Sequence, residues 1–319
     1  MVVFALTSQG NDFYTAMTRV AVASLRQSNP TLRLVVVCDR DTDLSIKLMC
    51  NPIVAEVDEW IMIETPTGDP FFRSRYVKTS LRGIIDGPFL FLDCDIFVRG
   101  NLDPIFELDA DIAGARNHSR EAFAEQVWVQ DAATLDAMNW PIQKNVYINT
   151  GVIFFNDTQG ARKLGDEWHR RWSQSFHIRK NHRDQPAFNS AIYDIRPVIA
   201  VLPDRFNAQF KATPSVAGDA VLWHYYSSVE DAPHTLFELL VDELINGAKL
   251  DRERVSAMIE SSHPWRSDNK VDDFAANAVM RRGRFDGWES AWLRRELKQH
   301  ILGRTRRALS RMKRIINHS

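Results

Sequence analysis

Phe89-Leu90-Phe91-Leu92-Asp93-Cys94-Asp95 is the stretch on which the reading of this chain turns. Four consecutive apolar residues, entered through Asp86-Gly87-Pro88, describe a short strand buried on both faces, as in the middle of a sheet covered by helices. Side chains two apart on an extended chain point the same way, so Asp93 and Asp95 leave the end of that strand together. In open α/β sheets that end is where ligands bind. Convergent carboxylates repel unless a cation neutralises them, and their oxygens suit Mg²⁺ or Mn²⁺ held jointly with a diphosphate.

Outward from that strand, the first 115 residues alternate β-rich runs with helix-period segments, which predicts an α/β fold with a mostly parallel sheet. Strands are predicted at Val2 to Leu6, Leu32 to Cys38 and Trp60 to Ile63, and helices at Phe13 to Gln27 and Arg73 to Ile85. Strands at Asp111 to Ala115 and Tyr147 to Phe155 flank a polar connection of about 30 residues, a length that is usually functional. Helices follow at Gln159 to Phe176 and Pro186 to Tyr193, then strands at Val198 to Leu202 and Ala220 to His224. No dinucleotide-type or Walker-type glycine loop occurs. The Asp-x-Asp spacing recurs at Asp39/Asp41, Asp41/Asp43 and Asp109/Asp111. Asp109 precedes its strand, whereas Asp39, Asp41 and Asp43 follow theirs in what reads as a polar loop and are the competing site.

Two enzyme classes end a strand in this way. Haloacid-dehalogenase phosphatases do so, but they usually carry a small residue, Thr or Val where Phe97 stands, and open the domain with that strand. The rest of the chain resembles the other class, the nucleotide-sugar glycosyltransferases of GT-A fold similar to family 8. The segment from Phe89 to Leu102 looks like their Asp-x-Asp segment, and Tyr147 to Asn156, containing Asn149-Thr150-Gly151, looks like their Asn-x-Gly strand. Arg183-Asp184-Gln185-Pro186 looks like their Asp-Gln motif, and Leu222-Trp223-His224-Tyr225 their downstream histidine segment. The family's Gly-x-x-Lys-Pro-Trp run after the histidine is replaced by Tyr225-Tyr226-Ser227-Ser228.

The resemblance implies a GT-A-like domain over residues 1–228 and a metal-dependent transfer of a hexose from a UDP-sugar to a saccharide or glycolipid, with retention. It implies a metal held by Asp93, Asp95 and His224. A nitrogen ligand tilts the choice towards Mn²⁺ over Mg²⁺. Donor contacts are expected from Thr7, Ser8, Asn11, Asp39, Lys78, Asp93, Cys94, Asn149, Thr150 and Gly151, with Arg75 as a substitute for Lys78. Asn149 offers an amide donor and acceptor to sugar hydroxyls, and Gly151 lets a ligand approach the backbone. Pro186 suits a first helical turn, which makes Gln185 its cap and turns Asp184 outward. By resemblance, Asp184 holds sugar hydroxyls and Gln185 lies near the anomeric carbon. Trp128 and Trp140 either stack on an acceptor or fill core, and His177 and His182 read as solvated. A phosphatase acting through Asp93 and a non-catalytic sugar- or membrane-binding module are the alternatives.

The chain has 319 residues, 45% hydrophobic and 25% charged, which excludes collagen-like, disordered and disulfide-scaffold classes. Three unpaired-looking cysteines (Cys38, Cys50, Cys94) suit a reducing compartment. The N-terminus lacks the basic region of a signal peptide, and no apolar run reaches bilayer length. The net charge of −1 hides an asymmetry: from Met280 onward there are twelve basic residues and three acids. Within residues 229–319, a helical extension, Trp292 to Ile316 spaces Leu293, Leu297, Ile301, Leu302, Ala308, Leu309, Met312, Ile315 and Ile316 on one stripe. That profile fits an interfacial anchor on an anionic membrane surface, and the acidic remainder argues against nucleic acid. The expected location is cytoplasmic, peripheral on the inner membrane face.

Overall fold

The central strand sits where its sequence places it: β4 (Phe89–Leu92) is buried along its whole length in the middle of a seven-stranded sheet. This is seen in a computed structural model, which describes residues 1–118, 127–143, 146–210, 216–226 and 235–264. The chain divides into two units, Met1–Pro264 and Trp265–Ser319, and every described residue belongs to the first. The amphipathic segment from Trp292 to Ile316 lies outside the described residues.

The other strands of the sheet are β1 (Val2–Leu6), β2 (Leu34–Asp39), β3 (Glu59–Ile63), β6 (Ile112–Arg116), β7 (Ile148–Phe155) and β8 (Ile199–Leu202). Their order is β3-β2-β1-β4-β7-β6-β8. β7 is antiparallel to both β4 and β6, while the remaining pairings are parallel. Alternation sorts the apolar residues into two layers. Val2, Phe4, Leu90, Leu92 and Phe154 face one side with Ala21 and Leu25 of α1 (Phe13–Ser28). Val3, Val35, Phe89, Phe91 and Phe155 face the other. There they meet α4 (Pro70–Ile84), α7 (Gln159–Arg179) and α8 (Gln185–Ile195) through Val77, Trp168, Trp172 and Phe188.

Two segments correct the expectations. The acidic run expected as a loop forms α2 (Arg40–Leu48), with Asp39 as its cap accepting from the Thr42 N–H at 2.9 Å. Asp41 and Asp43 fall in its first turn, where carboxylates favour the helix dipole. The long connection before β7 contains α6 (Val129–Met138), which ends at Asn139 in the left-handed region. The short helices α3 (Ile53–Glu56) and α5 (Asp103–Phe106) give too little periodicity to read. Further on, α9 (Leu236–Ile245) and α10 (Arg252–Glu260) both pack on α1 within the first unit.

Two pairings position the site. Antiparallel β4 and β7 bring Leu92 opposite Val152, and the Asp93 N–H donates to the Gly151 carbonyl at 2.8 Å. Past Asp95 the chain forms β5 (Ile96–Val98), which pairs with β9 (Leu222–His224) and sets Ile96 opposite His224. The Tyr225 N–H then donates to the Asp95 carbonyl at 2.8 Å. Residues far apart in the chain are thereby locked to the end of one strand.

The contact of α4 with α7 is tight enough to reverse an ordinary helix rule. A Cβ on Gly165 would lie 2.5 Å from Arg82 Cβ, and Arg82 is itself buried, donating to the carbonyls of Gly87 and Asn156. Replacing glycine by alanine in a helix gains up to about 1 kcal/mol, but overpacking costs about 1–3 kcal/mol. Gly165→Ala is therefore expected to lower the melting temperature. Gly83→Ala, whose Cβ meets nothing within 4 Å, should raise it slightly. Calorimetry of both variants checks the pair, and a Gly165→Ala protein more stable than the parent would contradict this packing.

Candidate active site

Asp93, Asp95 and His224 converge at the C-terminal end of β4, with one potential ligand atom from each lying within 4.8 Å of the others. His224 Nε2 is 3.4 Å from Asp95 Oδ1. His224 is buried, while the two carboxylates are partly open to a cleft of about 340 Å³. Two carboxylate oxygens and an imidazole nitrogen form a donor set that fits a divalent cation such as Mn²⁺. The space fits as well: a Cβ at Gly151 would lie 2.5 Å from His224 Cε1 and 3.1 Å from Asp93 Oδ2. Any residue but glycine at 151 would push apart the groups that converge here.

The acids are balanced from α4. The buried Lys78 ammonium lies 3.1 Å from Asp93 Oδ1 and 3.3 Å from Asp184 Oδ2, bridging the two. Arg75 Nε is 3.1 Å from Asp184 Oδ1. Burial pushes the Asp93 carboxyl above the usual carboxylate range, with Lys78 opposing and Asp95 adding to the rise. At Asp184 burial acts the same way, but Lys78 and Arg75 outweigh it and hold the carboxyl below its ordinary value. The cleft thus keeps Asp184 ionised and leaves the Asp93/Asp95 end demanding positive charge.

Gln185 is held from both ends. Its Oε1 accepts from the Thr150 N–H at 3.1 Å, and its Nε2 donates to Asp131 Oδ2 at 3.1 Å. Asp131 is buried on α6 and also accepts from the Tyr147 hydroxyl at 3.0 Å and from Arg183 Nη1 at 2.9 Å. Burial raises its pKa, and Arg183 pulls against the rise. Asp184, rather than Gln185, takes the cap position of α8, and its side chain is buried between Arg75 and Lys78 instead of turning outward. Asp184 itself has helical backbone angles and its side chain makes no cap hydrogen bond, being drawn to the cations of α4.

The cleft brings together Lys78, Asp93, Asp95, Asn149, Thr150, Gly151, Asp184, Gln185 and His224 among the residues expected from sequence. Arg75 and Trp128 line it too, as does His182, which reads as solvated but is half-buried with its ring tilted against Phe71 and Phe176. Trp140 instead packs with Leu135 and Tyr147. Thr7, Ser8, Asn11 and Asp39 end β1 and β2 on the same sheet edge but do not line the cleft. Ser8 donates to Asp12, Asn11 accepts from Asn51, and Asp39 pairs with Arg73 at 2.5 Å. Cys94 is not among the lining residues either, and burial raises its thiol pKa. The amide of Asn149 is engaged within the protein, by Gly151, Asn117 and Asn207, so the strand presents Thr150 and the space over Gly151. Asn117, Asp131, Arg183 and Tyr226 also line the cleft. Arg183 and Tyr226 adjoin Asp184 and His224 in sequence, whereas Asp131 on α6 and Asn117 just after β6 are brought in only by the tertiary path of the chain.

Residues 88–229 match the sequence model of the family described as Glycosyl transferase family 8, a span holding Asp93, Asp95, Asn149, Asp184, Gln185 and His224. No curated protein matches the chain significantly. Among solved structures, the fold is similar to the apo bifunctional glycosyltransferase WbbM (TM-score 0.52, 14% identity, over 80% of this chain and 51% of that one). This chain therefore spans about half the length of WbbM. It is also similar to the galactosyltransferase LgtC, solved with donor and acceptor sugar analogs (TM-score 0.50, 16% identity, over 84% of this chain and 98% of that one). The chain thus has the fold of the GT-A glycosyltransferases, and its central part is similar to glycosyl transferase family 8.

Asp131 offers a direct check of how Gln185 is held. Truncation to alanine strands the Arg183 charge and the Tyr147 hydroxyl, a loss of about 2 kcal/mol for a charged hydrogen-bonded group. Asp131→Ala should therefore lower the unfolding free energy in urea by about that amount. A change below a few tenths of a kcal/mol would show that the network does not hold the segment.

Proposed function

We propose that the protein transfers a hexose from a UDP-sugar to a saccharide acceptor in a divalent-metal-dependent reaction with retention of anomeric configuration. The observation that carries this reading is the convergence of Asp93, Asp95 and His224 opposite Thr150, Gly151, Asp184 and Gln185 in one cleft. Asp93, Asp95 and His224 are the residues that would hold the cation, Mn²⁺ in preference to Mg²⁺ given the imidazole ligand. Bound there, it supplies a Lewis acid that offsets charge on the departing diphosphate.

The remaining groups divide the work of orientation. Asp184, kept ionised by Lys78 and Arg75, accepts hydrogen bonds from sugar hydroxyls. Gly151 leaves room for the sugar over β7. Gln185 lies beside the reacting carbon with its amide orientation set by Thr150 and Asp131. No double-displacement nucleophile is evident among the carboxylates of the cleft: Asp184 is paired with two cations and Asp131 takes three hydrogen bonds. That supports attack on the same face as the leaving diphosphate, which preserves configuration. Nothing in the cleft favours the phosphatase alternative. The base and ribose are assigned to the polar residues ending β1 and β2, Thr7, Ser8, Asn11 and Asp39, with Arg73 beside them.

The acceptor is a saccharide, carried on a glycolipid if the basic C-terminal segment serves as a membrane anchor. No helix among the described residues is long and apolar enough to cross a membrane, so attachment to anionic lipid would rest on the nine basic residues from Trp292 onward. The full chain should sediment with anionic vesicles and remain in solution when truncated before Trp292. Equal sedimentation of both proteins would remove the anchor.

Ligand binding tests the donor assignment. UDP with Mn²⁺ should raise the melting temperature by several degrees, more than either alone and more than AMP or phosphate with Mn²⁺. The synergy should vanish in Asp95→Ala. A shift with AMP or phosphate as large as with UDP would overturn the reading.

A further inference from the structure

A line of buried side-chain amides runs along the floor of the cleft and behind His224, and the reaction described above does not use it. Asn207 is fully buried just after the helical turn Asp204–Phe206. Its Oδ1 lies 2.8 Å from His224 Nδ1, and its Nδ2 donates to Asn149 Oδ1 at 3.0 Å. The same Asn149 oxygen accepts from the Gly151 backbone N–H at 3.0 Å, and Asn149 Nδ2 donates to Asn117 Oδ1 at 3.0 Å.

The polarity of this line has one self-consistent solution. A backbone N–H can only donate, so the Asn149 side chain must turn its oxygen towards Gly151. Asn207 must then face that oxygen with its NH₂ group, which leaves its own oxygen facing the histidine. An oxygen opposite a ring nitrogen requires a proton on that nitrogen, so the proton of the neutral ring sits on Nδ1 and the lone pair on Nε2. Nε2 is the nitrogen beside Asp95, 3.4 Å from its Oδ1. In the opposite tautomer a proton would point at the place where a cation must bind.

We propose that Asn207 is a positioning residue for metal binding. It fixes the tautomer and ring orientation of His224, and the polarity that lets it do so is set by the Gly151 backbone through Asn149. The inference rests on the reading of His224 as the third ligand. It adds that the metal ligand and the strand under the donor sugar share one hydrogen-bonded line. A disturbance at Asn149 therefore reaches the cation without touching it. Partners of a ligating histidine typically contribute about 10- to 100-fold in metal affinity.

The first measurement needs neither metal nor turnover. Long-range ¹H–¹⁵N NMR of the full chain near pH 8, with His224→Gln identifying the resonance among nine histidines, should show the Nδ1–H tautomer in the parent protein. An Nε2–H tautomer there would overturn the proposal. The second is Mn²⁺ titration followed by electron paramagnetic resonance. Asn207→Leu should bind Mn²⁺ about 10- to 100-fold more weakly. Asn207→Asp, which keeps an acceptor for Nδ1–H, should stay within a few-fold of the parent. Should Asn207→Leu fail to fold, the parent tautomer and the aspartate variant decide the matter. If the parent binds Mn²⁺ and a folded leucine variant binds it equally well, the positioning role falls while the assigned function stands. If the parent binds no Mn²⁺ and His224→Gln changes nothing, the assigned function falls first.

Discussion

Two carboxylates at the end of one buried strand impose a charge problem that the surrounding structure is arranged to meet. Asp93 and Asp95 are partly open, with the apolar sheet behind them and the cations Lys78 and Arg75 on the α4 side. Burial and the neighbouring Asp95 both raise the Asp93 pKa, so negative charge at this point is disfavoured unless it is compensated. Lys78 answers part of the demand, and a divalent cation held with His224 would answer the rest. The antiparallel insertion of β7 beside β4, the short β5–β9 ribbon and the absence of a side chain at Gly151 all serve to bring compensating groups to that point.

The same charge argument separates two kinds of acid in the cleft. Asp184 is held below its ordinary pKa by two cations, and Asp131 is raised by burial and committed to three donors. One is thereby available to accept from hydroxyls, while the other acts as a structural clasp for Gln185. Identical side chains some 50 residues apart come to different roles through their neighbours.

The architecture was legible because the decisive strand announces itself: an all-apolar run, a turn before it and two acids after it. β1, β2, β4 and β7 and helices α1, α4, α7 and α8 all fall within a few residues of their expected positions. The acidic run after β2 reads as a loop because it lacks an apolar helical stripe, yet it carries a cap. Asp39 followed by acids in the next turn is a helix-start pattern, and it converts a competing metal site into α2. In the site, residues lying directly after strands were readable, since strand ends share an edge. Asp131, Asn117 and Asn207 were not, because nothing local distinguishes a buried, hydrogen-bonded aspartate or asparagine from an exposed one. Asn149 lines the cleft, but its amide binds inward to its neighbours instead of standing free for a sugar hydroxyl.

The central claim is that Asp93, Asp95 and His224 jointly bind a divalent cation. Crystals grown with Mn²⁺ and UDP, measured at the manganese absorption edge, test it most directly. The account predicts one anomalous peak within bonding distance of both carboxylates and of His224 Nε2, with the diphosphate completing its shell. A peak elsewhere, or none beside these three residues while UDP is bound, would contradict it.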